Sequence, residues 1–235
     1  MMEFSVTYLF RFGDGTTKEF PLYFDLDSLE VVQCATVEPP EWARLTYHQC
    51  AICPLKPEKH PYCPAAMSLA EVVDHFHGLS SHGEVVLEVY TRERAVVSKT
   101  TVQRGVASIM GLIMATSGCP HMAFFKPMAR FHLPLASEEE TVVRAMSTYL
   151  MFQLFRRERG LHFDFDLDGL VRIYQNVNLV NKTFGIRLQA ASEEDPACRA
   201  LIVLDAFTTI LPDVIDESLE EVRYLFDRPL PALGD

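Results

Sequence analysis

An α+β fold follows from three features of the sequence. Two stretches near the start alternate apolar and polar residues around short turns, the long helical patterns come after them, and no strand–helix–strand repeat runs through the chain. The expected architecture is antiparallel β-hairpins with a short helix in the N-terminal half and a helical bundle in the C-terminal half. The two portions, 1-104 and 105-235, are expected to pack as one unit.

The first hairpin is read from Phe4 to Phe12, where side chains alternate, and from Lys18 to Leu26, with Gly13-Asp14-Gly15 supplying the turn between them. Cys34 to Pro64 contains Pro39, Pro40, Pro54, Pro57, Pro61 and Pro64, which excludes regular helix or a central strand over most of it. Ser68 to Glu71 matches a capping box and predicts a short helix through about His75, stopped by Gly78. A second hairpin is expected over Glu84 to Tyr90 and Ala95 to Val102. Beyond Gly105 the pattern turns helical over Val106 to Thr116, breaks at Gly118-Cys119-Pro120 and reads as irregular to Pro134. A second capping box at Ser137 to Glu140 opens a helix to about Arg159, before Gly160. Further helices are expected over Leu167 to Ala191, Pro196 to Ile210 and Pro212 to Phe226.

With 235 residues, 49% of them hydrophobic, the chain can bury a core without disulfides. Its net charge of -11 opposes a phosphate backbone, so nucleic acid is not an expected partner. The basic run Arg156-Arg157-Glu158-Arg159 reads as the charge-complemented end of a helix. No basic n-region with an apolar h-region opens the sequence, and the apolar run Val106 to Thr116 is too short to span a bilayer, so a cytoplasmic location without membrane contact is expected. In that setting the six cysteines should remain thiols, which favours metal ligation over a disulfide framework.

The cysteine pattern carries most of the functional information. Cys50 and Cys53 form a C-x2-C pair, and after a gap of nine residues Cys63 follows in the same proline-rich stretch, within a knuckle spanning 48-64. Such a pair lets two thiolates meet on one ion across a tight turn, and the ion would supply ordering energy that this loop cannot draw from backbone ladders. For the fourth ligand Cys119 is preferred, because Gly118-Cys119-Pro120 repeats the Cys-Pro dipeptide of Cys53-Pro54 and Cys63-Pro64; His121, His60 and His48 are the alternatives. Zinc suits such a set, and an iron–sulfur cluster is the alternative because it also takes four thiolates. The plain counter-reading is four packed thiols behaving as small hydrophobes, the role expected of Cys34 and Cys198.

Cys119 with His121 or His132 as base would make a thiol-dependent enzyme, but no third, orienting group can be named. Lys126, Arg130 and His132, interleaved with aromatics, could meet a small anion or a protein partner, although a loop packing its apolar side inward has the same pattern. Asp164 to Gly169 resembles the opening of a calcium loop, yet Gln175 stands where a bidentate glutamate belongs, so acidic residues at a helix start are the simpler reading. His75 and His77, two apart on a helix, point to different faces and read as surface residues.

His48-Gln49-Cys50-Ala51-Ile52-Cys53-Pro54-Leu55, His60-Pro61-Tyr62-Cys63-Pro64, Thr116-Ser117-Gly118-Cys119-Pro120-His121 and Met128-Ala129-Arg130-Phe131-His132-Leu133-Pro134 resemble stretches of a family of uncharacterised bacterial proteins, over nearly the whole chain. The resemblance implies a bacterial cytosolic protein and transfers no catalytic residue. The expectation is therefore a non-enzymatic metal-binding protein with a structural zinc centre on Cys50, Cys53, Cys63 and Cys119.

Overall fold

The structure is a computed structural model that describes residues 3–32, 38–191 and 222–227. Strands β1 (Glu3–Phe12) and β2 (Thr17–Asp25) form the first hairpin, in register from Phe4 opposite Phe24 to Arg11 opposite Thr17. Asp14 organises its turn by accepting from the Thr16 N–H at 2.9 Å and the Thr16 hydroxyl at 2.7 Å. Strands β3 (Glu84–Tyr90) and β4 (Ala95–Thr101) make the second hairpin, and the sheet runs β2-β1-β3-β4 with every neighbour antiparallel. Alternation sends Val6, Tyr8 and Phe10, then Phe20, Leu22 and Phe24, then Val85, Leu87 and Val89 to one buried face. Tyr23 and Val97 remain exposed.

Helix α1 (Pro64–Phe76) starts four residues before the capping box expected at Ser68. Cys63 is its N-cap and Pro64 occupies the first turn, where a missing N–H costs nothing. The Ser68 hydroxyl donates to the Pro64 carbonyl at 3.0 Å, so it bonds within the helix and caps nothing. Helix α2 (Val102–Thr116) likewise begins earlier than its apolar run, because Thr101, the last residue of β4, caps it by accepting from the Arg104 N–H. Helices α1 and α2 cover the buried face of the sheet. At the crossing, Gly105 sits so close to Phe10 that a Cβ there would lie 2.5 Å from the ring.

The stretch to Pro134 that reads as irregular is largely helical: a 3-10 helix covers Pro120–Phe125 and α3 covers Lys126–Arg130. Both carry proline in the first turn, where it is compatible with helix, and that is why proline content misleads here. Helix α4 (Glu138–Glu158) has the expected capping box: the Glu140 carboxylate accepts from the Ser137 N–H at 2.8 Å and the Ser137 hydroxyl from the Glu140 N–H at 3.1 Å. Its basic end behaves as a helix terminus, with Arg156 donating to the His162 carbonyl. Helix α5 (Asp168–Ala191) contributes Val177, Val180, Phe184 and Leu188 to the sheet's core, so that core draws on both sides of residue 104. A second core joins α4 and α5 through Ala145, Met146, Tyr149, Leu170 and Tyr174. The helix expected over 196–210 and most of that over 212–226 lie outside the described residues, as do Cys34 and Cys198; residues 222–227 are helical. Among the described residues no single helix is long and apolar enough to cross a membrane. Helix α2 and the helical stretch Pro120–Arg130 reach that length only together, across a bend of 107°.

Candidate metal centre

The proline-rich loop is ordered by a small set of backbone bonds. An isolated bridge pairs Arg44 with Tyr62, the Cys63 N–H donates to the Ala43 carbonyl at 2.8 Å, and the Leu45 N–H donates to the Pro61 carbonyl at 2.9 Å. The Cys53 N–H donates to the Cys50 carbonyl at 2.9 Å and closes a knuckle over 50–53. The Gln49 side chain holds the next stretch by donating to the Leu55 carbonyl at 3.0 Å. Cys63 follows as the N-cap of α1. Cys119 enters from the other side as the N-cap of the 3-10 helix, after Gly118 turns the chain out of α2 at φ 81°.

These four cysteines are free thiols, Cys63 buried and the others half-buried against the main core. Burial pushes the Cys119 thiol up to about 11, opposed by the backbone N–H of His121 and raised further by Cys63 and Cys50. Burial also raises Cys50, opposed by the Thr183 hydroxyl and raised further by Cys63 and Cys53. For Cys63 burial again leads, against the N–H of Ala66 at the start of α1, with Arg187 also pulling it down. Among the described residues, no three or more His, Cys, Asp or Glu side chains come together in a group that could hold a metal ion.

Arg187 of α5 is the residue that sequence reading missed. It is 1% exposed, and it donates to the carbonyls of Trp42 at 2.6 Å, Arg44 at 2.9 Å and His48 at 3.2 Å, so one side chain laces the loop to α5. Its Nε is buried without a hydrogen-bond partner, and among the described residues no carboxylate forms an ion pair with it. Burial lowers its pKa, and the acidic groups that oppose this are Cys63, Cys50, Tyr47 and Cys53. A signal was present in the sequence: Val177, Val180, Phe184 and Leu188 form an apolar stripe, and Arg187 falls on it, three residues after Phe184.

The histidine alternatives are placed differently. His121 uses Nε2 on the Ile52 carbonyl at 2.8 Å, which braces the knuckle from outside. His60 is exposed. His48 is exposed too, and its φ of 44° replaces the extended geometry that would have aimed it with Cys50. For the nucleophile reading, a buried thiol raised to about 11 is not activated, and His132 gives Nε2 to the Tyr8 hydroxyl. Lys126 is bound to the Ser28 carbonyl at 3.0 Å and Glu30 at 2.9 Å, while Arg130 stacks on Phe4 and Phe131 and pairs with Glu93. Asp164 accepts from the Tyr149 hydroxyl and the Gly169 N–H, both at 2.7 Å, which is the role of an acid at a helix start. His75 is half-buried against Phe20 and Phe76, not on the open surface, whereas His77 is exposed.

A family model described as a domain of unknown function, DUF6901, matches residues 6–227. The chain belongs to that family. All four cysteines, Thr183 and Arg187 lie within the span that defines DUF6901 in this chain. No curated protein and no solved structure matches it.

Proposed function

We propose that this chain is a metal-binding protein in which Cys50, Cys53, Cys63 and Cys119 hold one zinc ion as thiolates, and that the centre is chiefly structural. The observation that carries this reading is the buried Arg187 guanidinium, which has thiols in place of a carboxylate around it. A charge in such a place requires an opposite one. As neutral thiols the cysteines cannot supply it, but zinc converts them to thiolates, and an ion held by four thiolates is formally dianionic. The N–H groups of Ala66 and His121, facing Cys63 and Cys119, favour the same thiolate forms. Loading draws the sulfurs onto the ion, since ligation and local ordering are linked.

An iron–sulfur cluster is the second reading, favoured by proline after three of the four cysteines, Cys53, Cys63 and Cys119. Anaerobic purification followed by metal analysis and visible absorbance separates the two. Colourless protein with about one zinc per chain supports the first; brown protein containing iron and sulfide moves the assignment to the second. Cys53→Ser is expected to lower both metal content and melting temperature. Freshly purified protein without metal, whose thiols take up zinc no more tightly than the urea-unfolded chain does, would refute the centre altogether.

A further inference from the structure

A cavity of about 230 Å³ lies among α2, the 3-10 helix, α3, α4 and α5, and none of the four cysteines lines it. Most of its wall is apolar, with Leu112, Ala115, Met122, Phe125 and Val177 prominent. Two arginines line it, Arg104 of α2, which is exposed, and Arg144 of α4, which is half-buried. The hydrogen bonds that Arg144 makes among the described residues both run from Nη2, to the Met128 carbonyl at 2.9 Å and the Phe131 carbonyl at 3.2 Å. Both acceptors are neutral, and among the described residues no carboxylate forms an ion pair with this guanidinium. Glu140, one turn earlier, accepts from the Ser137 N–H, and its charge acts on Arg144 without pairing with it, while burial leads in lowering the Arg144 pKa. His132, on the same wall, is kept neutral by burial and by Arg144, so it adds a polar group and no charge.

A largely apolar cavity with one half-buried cation in its wall suits an apolar molecule with one anionic end. We propose that this cavity binds a small amphiphilic carboxylate, with its hydrocarbon part against Leu112, Ala115, Met122 and Val177 and its carboxylate on Arg144. The half-buried Arg144 matches the single anionic end of such a molecule, while Arg104 stays exposed to solvent. The volume falls just below the roughly 300–1,000 Å³ of sites for drug-sized ligands, which limits the chain to medium length. The net charge of -11 disfavours approach of any anion, but at physiological salt that field is screened beyond about 8 Å. Selectivity is therefore decided at Arg144.

The test is calorimetric titration of the full chain with octanoate, 1-octanol and octylamine, which share one hydrocarbon tail. Octanoate should bind at a single saturable site, 1-octanol about tenfold more weakly or less, and octylamine not at all. Arg144→Gln should bring octanoate down to the level of 1-octanol, while Arg144→Lys should retain part of the preference. Should Arg144→Gln fail to fold, the ranking of the three probes on the unaltered protein still decides. Equal affinity for octanoate and 1-octanol, or no saturable octanoate binding, would overturn the assignment. Because no cavity residue is a cysteine, the same titration on metal-depleted protein that remains folded separates this site from the thiolate centre.

Discussion

The sheet with α1 and α2, and the loop that carries Cys50, Cys53 and Cys63, are held together by different physics. In the sheet, continuous ladders satisfy the backbone and three strands send alternate residues into one apolar layer. Removing one contact there leaves many others in place. In the loop, prolines remove donors, one isolated bridge replaces a ladder, and a single arginine from a distant helix supplies three bonds. Distributed burial tolerates error, whereas a corner hung on one side chain and, in our proposal, one ion does not.

The largest effect should come from removing that side chain. Arg187→Met keeps the apolar stem but leaves the carbonyls of Trp42, Arg44 and His48 without their donor, and we expect a loss of about 3 kcal/mol. Trp42 is the chain's single tryptophan and lies in this corner, so its fluorescence should change at lower urea than far-UV circular dichroism does. Coincident transitions would show that the corner and the sheet are less distinct than described. On the other side, Gly105→Ala drives a methyl group into Phe10 and should cost about 1–3 kcal/mol. Both probes should then shift together, with metal content unchanged.

The smallest effect per pH unit belongs to the seam between β1 and the helices, where His132 meets Tyr8, and Tyr8 meets Ser108 of α2 at 3.1 Å. Burial first, and Arg144 second, depress His132 to about 3. The unfolded chain takes up this proton near the ordinary imidazole value of 6.5 while the folded chain resists it, so stability falls as pH drops from about 6.5 towards 3. Tyr8, which bonds the ring, is uncharged, as is Ser108 behind it, and Arg144 opposes protonation. The slope due to this residue is at most about 1.4 kcal/mol per pH unit. Urea melts at several pH values in this window should show a flatter dependence for His132→Gln, and an unchanged slope would contradict the burial of the ring.

How far all this was legible in the sequence differs with the range of the interactions involved. Both hairpins, the Ser137 cap and the break at Gly118 are local and were readable from turn and cap chemistry. The start of α1 was misplaced because Ser68 to Glu71 mimics a cap while the true signal, proline in a first turn after Cys63, lay in a run of prolines read as loop. Cys119 was proposed as fourth ligand from a repeated dipeptide alone, whereas Arg187 went unseen because an isolated arginine in a helix ordinarily faces water. The cavity draws its lining from several helices and the segments between them, so no local pattern could announce it.

The junction of β4 and α2 has a consequence for assembly. Thr101 ends the strand and caps the helix, and Val102 already belongs to that helix. With no slack between them, shifting the border strand by one position would drag α2 along its axis and pull Gly105 away from the ring it is fitted to. Strand β4, one of the sheet's two edges, is thereby fastened to the centre of its own molecule, a safeguard against exchange between chains that acts alongside Lys99 on the strand itself.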